Sequence, residues 1–104
     1  MENEKENKNK KFRELQGDHP AVVVSNDEQN KFSPLITILP LTSQVDKIYP
    51  FQVEGFLQGK RGIILVDQIR TIDRQRFSSR IGLIDELLMT KVEKALHTTL
   101  ALKN

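Results

Sequence analysis

Cysteine and tryptophan are absent from these 104 residues, tyrosine occurs once and histidine twice. Without cysteine there is neither a disulfide framework nor a thiolate metal site, which suits a reducing compartment. His19 and His97 each lack a second ligand at a familiar helical spacing. The sequence therefore offers no metal-ligand set, and no cofactor is expected. A nucleophile of the Ser–His or Cys–His kind lacks its Gly-x-Ser-x-Gly elbow or its thiol. No glycine-rich phosphate loop opens a helix, and no repeat recurs. Long apolar runs are missing too. The longest, Leu35 to Leu41, is interrupted by Thr37 and Pro40 and falls far short of the roughly 18 residues that a spanning helix needs. Met1 to Lys11 is charged with no apolar block behind it, so it does not read as a secretory signal, and a cytoplasmic location is expected.

What is present fits one small soluble domain: 38% hydrophobic and 29% charged residues, with a core limited by length. The formal charge is +2, and the first eleven residues supply half of it, with four lysines against three glutamates. A whole-molecule electrostatic funnel toward nucleic acid is excluded, so any such contact rests on a local patch. Arg70, Arg74, Arg76 and Arg80, offset by Asp73 alone, form one candidate, because guanidinium forks match phosphate oxygens. The same run also reads as an ordinary solvated loop. Phe12, Phe32, Tyr49, Phe51, Phe56 and Phe77 do not gather into a stacking platform of the single-strand-binding kind.

Residues 1–11, nearly all Glu, Lys and Asn, cannot bury enough area to offset the entropy of ordering. They read as a disordered tail ahead of a domain over 12–104. FRELQGDHP reads as a loop closed by Pro20. Ala21–Val24 and Leu35–Leu39 are β-branched runs with strand signatures, separated by the loop SNDEQNKFSP. Tyr49–Val53 reads as a short strand, Gly55, Gly59 and Gly62 mark a turn, and Ile63–Val66 is a further strand leading to an extended stretch toward Phe77. From Asp85, a fitting N-cap, Leu88, Val92, Leu96 and Thr99 or Leu100 recur at helical spacing. Short strands with one terminal helix predict a mainly β fold, a small barrel with a helix on one face. His97 falls on that helix and reads as an exposed structural residue.

Several blocks, in order, resemble the MazF/PemK toxin family: GDHPAVVVSND, NKFSP, LPLTSQ, KVEKAL and, most specifically, DQIRTID directly after a strand. The similarity spans roughly Glu14 to Leu102. It implies a dimeric SH3-like barrel of the CcdB/MazF type. It also implies a metal-free endoribonuclease that cuts single-stranded mRNA at short preferred sequences and is held inactive by a cognate antitoxin. Such a reaction needs a base for the 2′-hydroxyl, a donor or cation for the phosphoryl oxygens and an acid for the departing 5′-oxygen. The resemblance assigns the phosphate-binding threonine to Thr42 and the position of a catalytic arginine to His19. It sets Glu14, Ser43, Gln44, Asp67, Gln68 and Arg70 along the RNA groove, where amides and carboxylates can read unstacked bases. Gln68 has an alternative role as a buried residue satisfying barrel backbone.

Two departures stand out. The family's opening strand and its Gly-Ser-Glu-Gln loop give way to a charged tail and FRELQGDHP, so the first strand reads as missing. Histidine replaces arginine at position 19, exchanging a fixed, forked cation for a ring that changes charge near neutrality. Two further readings therefore stand beside the ribonuclease. One is a binding-only relative that holds an antitoxin or inhibits a protein target such as gyrase; the other is a general nucleic-acid-binding barrel using the Arg70–Arg80 patch.

Overall fold

The computed structural model describes residues 11–15, 19–44 and 47–102, the side chains of 11–15 and 78–80 excepted. Its strands are β1 (Lys11–Leu15), β2 (His19–Val23), β3 (Leu35–Thr42), β4 (Val53–Leu57), β5 (Lys60–Ile64), β6 (Arg70–Asp73) and β7 (Phe77–Leu83). The helices are α1 (Asp27–Phe32) and α2 (Glu86–Thr99), and 3-10 turns cover Val66–Gln68 and Arg74–Arg76. Antiparallel pairing runs β4-β5-β3-β2-β1-β7, with β6 beside the first half of β3. The path ends at β4 and β7 without closing, so the expected barrel is an open one.

Alternation along β2 and β3 explains why apolar residues fall on both faces of the two strands. Ala21, Val23, Ile36 and Ile38 face one way, packing with Ile72 and Phe77. Val22 and Leu39 face the other way, toward Val53, Ile64, Val66 and α2. A sheet covered on both faces selects continuous hydrophobic strands rather than alternating ones. Ile38, Leu39, Ile64 and Val92 are fully buried, and each such side chain stabilises the fold by roughly 1.5–3 kcal/mol.

The helix forms where its period places it. Asp85 caps it, its Oδ1 accepting the Leu88 amide at 2.8 Å, a contact worth about 1 kcal/mol. Leu88, Met89, Val92 and Ala95 make the buried face. Gly55 of β4 sits directly beneath Leu88, and a Cβ there would meet the leucine methyls at 2.8 Å, so glycine sets how closely helix and sheet approach.

Three expectations are corrected, and a fourth, the tail, meets the structure only at Lys11. The missing first strand is present as β1, which pairs with β2 through Phe12↔Val22 and with β7 through Glu14↔Ser79, filling the place between them. The tail assigned to residues 1–11 lies outside the described residues except for Lys11, which opens β1. SNDEQNKFSP is not all loop: Asn26 Oδ1 accepts the Gln29 amide at 2.8 Å and starts α1, while Asn30 Nδ2 donates to the Ser25 carbonyl at 3.0 Å. The short strand expected at Tyr49–Val53 begins only at Val53, because a turn closed by the Gln52 amide on the Tyr49 carbonyl, 2.9 Å, occupies the preceding residues.

Candidate active site

β3 emerges from the core at Thr42, half-buried, between two neighbours. On one side Thr42 pairs with Ile63 of β5. On the other, β2 pairs with β3 as far as Ala21↔Pro40. Beyond that pair His19 and Thr42, 23 positions apart, line one cleft. The backbone amide of Gln44 donates to Thr42 Oγ1 at 3.1 Å, occupying one acceptor position and leaving the hydroxyl hydrogen to donate outward. Ser43 and Gln44 follow, both exposed.

A cleft of about 540 Å³ opens here. Its lining includes His19, Thr42, Ser43, Gln44, Lys60 and Arg61, over an apolar floor of Leu41, Leu57 and Ile81. Lys60 and Arg61 are the lining cations that sequence reasoning missed. They begin β5 immediately after a two-residue turn in which Gln58 (φ 55°) and Gly59 (φ 76°) both take the left-handed region, the geometry of a tight type I′ hairpin. The signal was Gln-Gly followed by two cations, hidden because the glycines read only as a loop. The hairpin is short and hydrogen-bonded, so it fixes the two cations at the rim of the cleft. Arg61 also pairs through Nε with Glu54 of β4. Both side chains remain over 40% exposed, so this pair is worth no more than about 1 kcal/mol and serves to orient the guanidinium.

Of the remaining sequence-derived site residues, Asp67, Gln68 and Arg70 do not line this cleft. Asp67 and Gln68 lie exposed on the 3-10 turn after β5, and exposure removes the alternative of Gln68 as a buried structural amide. Arg70 opens β6 opposite Ile38, four residues and roughly 13 Å up β3 from Thr42. Glu14 sits in β1 opposite Pro20, next to His19 in the ladder, and its side chain lies outside the described residues. Arg74 of the expected basic patch donates through its guanidinium to the Asn30 carbonyl, tying β6 to α1, while Arg80's side chain lies outside the described residues. His97 is exposed on α2. One further expectation is corrected: Tyr49 and Phe51 do gather, their rings stacked with centroids 5.3 Å apart.

Residues 7–100 match the family model described as PemK-like, MazF-like toxin of type II toxin–antitoxin system. The chain is 40% identical over 93 residues to Endoribonuclease EndoA of Bacillus subtilis, covering 83% of this chain and 78% of that protein. It is 33% identical to Endoribonuclease MazF of Staphylococcus epidermidis, over 85% and 78% of the two chains. Among solved structures, MazF in a MazE–MazF crystal from Deinococcus radiodurans superposes with a TM-score of 0.77 at 28% identity, over 88% of this chain and 92% of that one. The Mycobacterium tuberculosis toxin MazF-mt6 reaches 0.78 at 16% identity, over 90% and 99% of the two chains, a likeness of fold.

Proposed function

The chain belongs to the PemK-like, MazF-like family of type II toxins, and from that premise we propose that it is the toxin of such a pair, an endoribonuclease that cuts single-stranded mRNA without a metal. The observation that supports this reading is the single cleft holding His19, Thr42, Ser43 and Gln44 with Lys60 and Arg61 at its rim. In the proposed reaction the 2′-hydroxyl attacks the adjacent phosphorus, the 5′-oxygen leaves with a proton, and the products are a 2′,3′-cyclic phosphate and a 5′-hydroxyl. Thr42 donates its hydroxyl hydrogen to a phosphoryl oxygen. His19 stands beside it in the position of the family's arginine, where its ring supplies no forked charge, and the 2′ proton leaves to solvent, which returns one to the 5′-oxygen. Lys60 and Arg61 supply that charge from the hairpin.

Incubation of purified protein with a long RNA in chelator tests the reading, with cutting at a recurring short sequence expected. Intact RNA, with an antitoxin still bound, would favour the binding-only alternative.

The cations make a separate prediction. Lys60→Gln and Arg61→Gln should each lower the slope of log binding constant against log salt by about 0.7 for a single-stranded RNA, as loss of one phosphate contact does. Arg70→Gln should leave that slope closer to the parent's, and equal effects at all three positions would undo the distinction drawn between cleft and β6.

We further propose a symmetric homodimer in the cytoplasm, bound by a cognate antitoxin. Phe56 and Leu87 are about 70% exposed and Leu83 about half, apolar area that a small domain gains by covering. No helix among the described residues is long and apolar enough to cross a membrane. Sedimentation at micromolar concentration should give about twice the 12.0 kDa of one chain; a monomer would contradict the dimer.

A further inference from the structure

Beside the cleft, and sharing Thr42 and Gln44 with it, lies a smaller pocket of about 220 Å³. Its remaining lining is Lys47, Tyr49, Gln52, Ile63 and Leu65. We propose that this pocket is a nucleobase subsite, in which an unstacked base next to the scissile phosphate lies against Tyr49 and meets the Gln52 amide. The inference rests on the ribonuclease reading and adds to it where the substrate is gripped.

The pocket is built in advance of any ligand. The Gln52 amide donates to the Tyr49 carbonyl at 2.9 Å, and the Tyr49 amide donates back to Gln52 Oε1 at 3.2 Å. This reciprocal pair closes the turn, occupies one acceptor position of the side-chain oxygen and leaves Nε2 as the donor end of the Gln52 side-chain amide to address a ligand. Phe51 stacks on Tyr49 with the planes only 10° apart, holding the tyrosine ring at a fixed tilt. Ile63, only 1% exposed, and Leu65 give an apolar floor. Lys47 holds its ammonium over the Tyr49 ring, 5.2 Å from the centroid of a ring whose other stacking neighbour is Phe51, so a base lying on that ring displaces the ammonium toward the phosphate of its own nucleotide.

Each part matches one need of a base. The volume is below the roughly 300–1,000 Å³ of pockets for drug-sized ligands and suits one heterocycle. An aromatic face gives sequence-tolerant stacking, and an amide donor selects among base edges. Because Thr42 borders both cavities, a phosphate held by its hydroxyl has a neighbouring base within reach of Tyr49. An antitoxin side chain would use the apolar floor but has less need of a cation beside the ring.

Tyr49 is the single tyrosine and the chain has no tryptophan, so intrinsic emission reports on this ring directly. The probe is a short RNA spanning a mapped cut, end-labelled, with a 2′-deoxy residue at the cut to prevent cleavage. Binding, followed by anisotropy of the label, should quench tyrosine emission in parallel. Tyr49→Leu should weaken binding about five- to a hundredfold, while Tyr49→Phe stays near the parent. An abasic residue at one position flanking the cut should weaken the parent similarly and leave Tyr49→Leu little changed. RNA that binds tightly with steady emission and no loss in Tyr49→Leu overturns the subsite alone and assigns the pocket to a protein partner. An RNA that is neither cut nor bound removes the ribonuclease reading and this inference together.

Discussion

Replacing Thr42 by Val lowers RNA cleavage roughly ten- to a thousandfold, the scale of losing one donor aimed at developing charge. The structural loss is far smaller. Thr42 Oγ1 accepts one hydrogen bond, from the Gln44 amide at an exposed site, and such a bond contributes only about 0.5–1.5 kcal/mol. Valine keeps the β-branched shape that the end of β3 favours. Cleavage rate and thermal midpoint therefore separate: a large fall in rate with a midpoint shift of a few degrees is expected. Unchanged cleavage, or wholesale loss of stability, would return Thr42 to a purely structural role.

His19→Arg raises cleavage, by about tenfold or more, since each 1.4 kcal/mol of added transition-state stabilisation gives a factor of ten. Position 19 opens β2 at the mouth of the cleft and is exposed, so a longer side chain has room to extend toward the phosphate. Arginine offers a bidentate fork to a phosphate, whereas histidine offers at most one ring nitrogen to each partner. A fall in activity would mean instead that the imidazole is the base for the 2′-hydroxyl and that its loss outweighs the added charge.

These two residues were legible through the resemblance to the toxin family, while the strand character of the apolar runs beside them is local. Ala21–Val24 and Leu35–Leu39 announce β2 and β3 by composition, and the two strands pair from Val23↔Ile38 to Ala21↔Pro40, just short of His19 and Thr42. Helix α2 was equally plain, since its period and the Asp85 cap are contained within one segment. β1 was hidden: KFREL is short and polar, and it is a strand only because β2 and β7 flank it, the latter more than sixty residues away in sequence. β4 was displaced in the reading because Gly55 suggests a turn; what makes it a strand residue is its pairing with Gly62 of β5, and Leu88 pressed against it leaves no room for a side chain.

The cleft was legible only in part for the same reason. Lys60 and Arg61 reach it through the β4–β5 pairing, which a linear reading of Gly55, Gly59 and Gly62 concealed. The more conspicuous cations, Arg70 to Arg80, drew attention by density, yet Arg74 is engaged with the Asn30 carbonyl and Arg70 stands opposite Ile38. The Tyr49–Phe51 stack was missed because spacing of aromatics along the chain does not report the turn that Gln52 closes.

The central claim is that the 2′-hydroxyl of the substrate is the nucleophile in a metal-free cut at this cleft. Two RNAs spanning a mapped site, identical except for one 2′-deoxy residue at the cut, are incubated with the protein in chelator. The account predicts that the all-ribose RNA is cut to a 2′,3′-cyclic phosphate and a 5′-hydroxyl while the deoxy-substituted RNA stays intact. Cleavage of both at the same bond, or of neither until a metal is added, would contradict it.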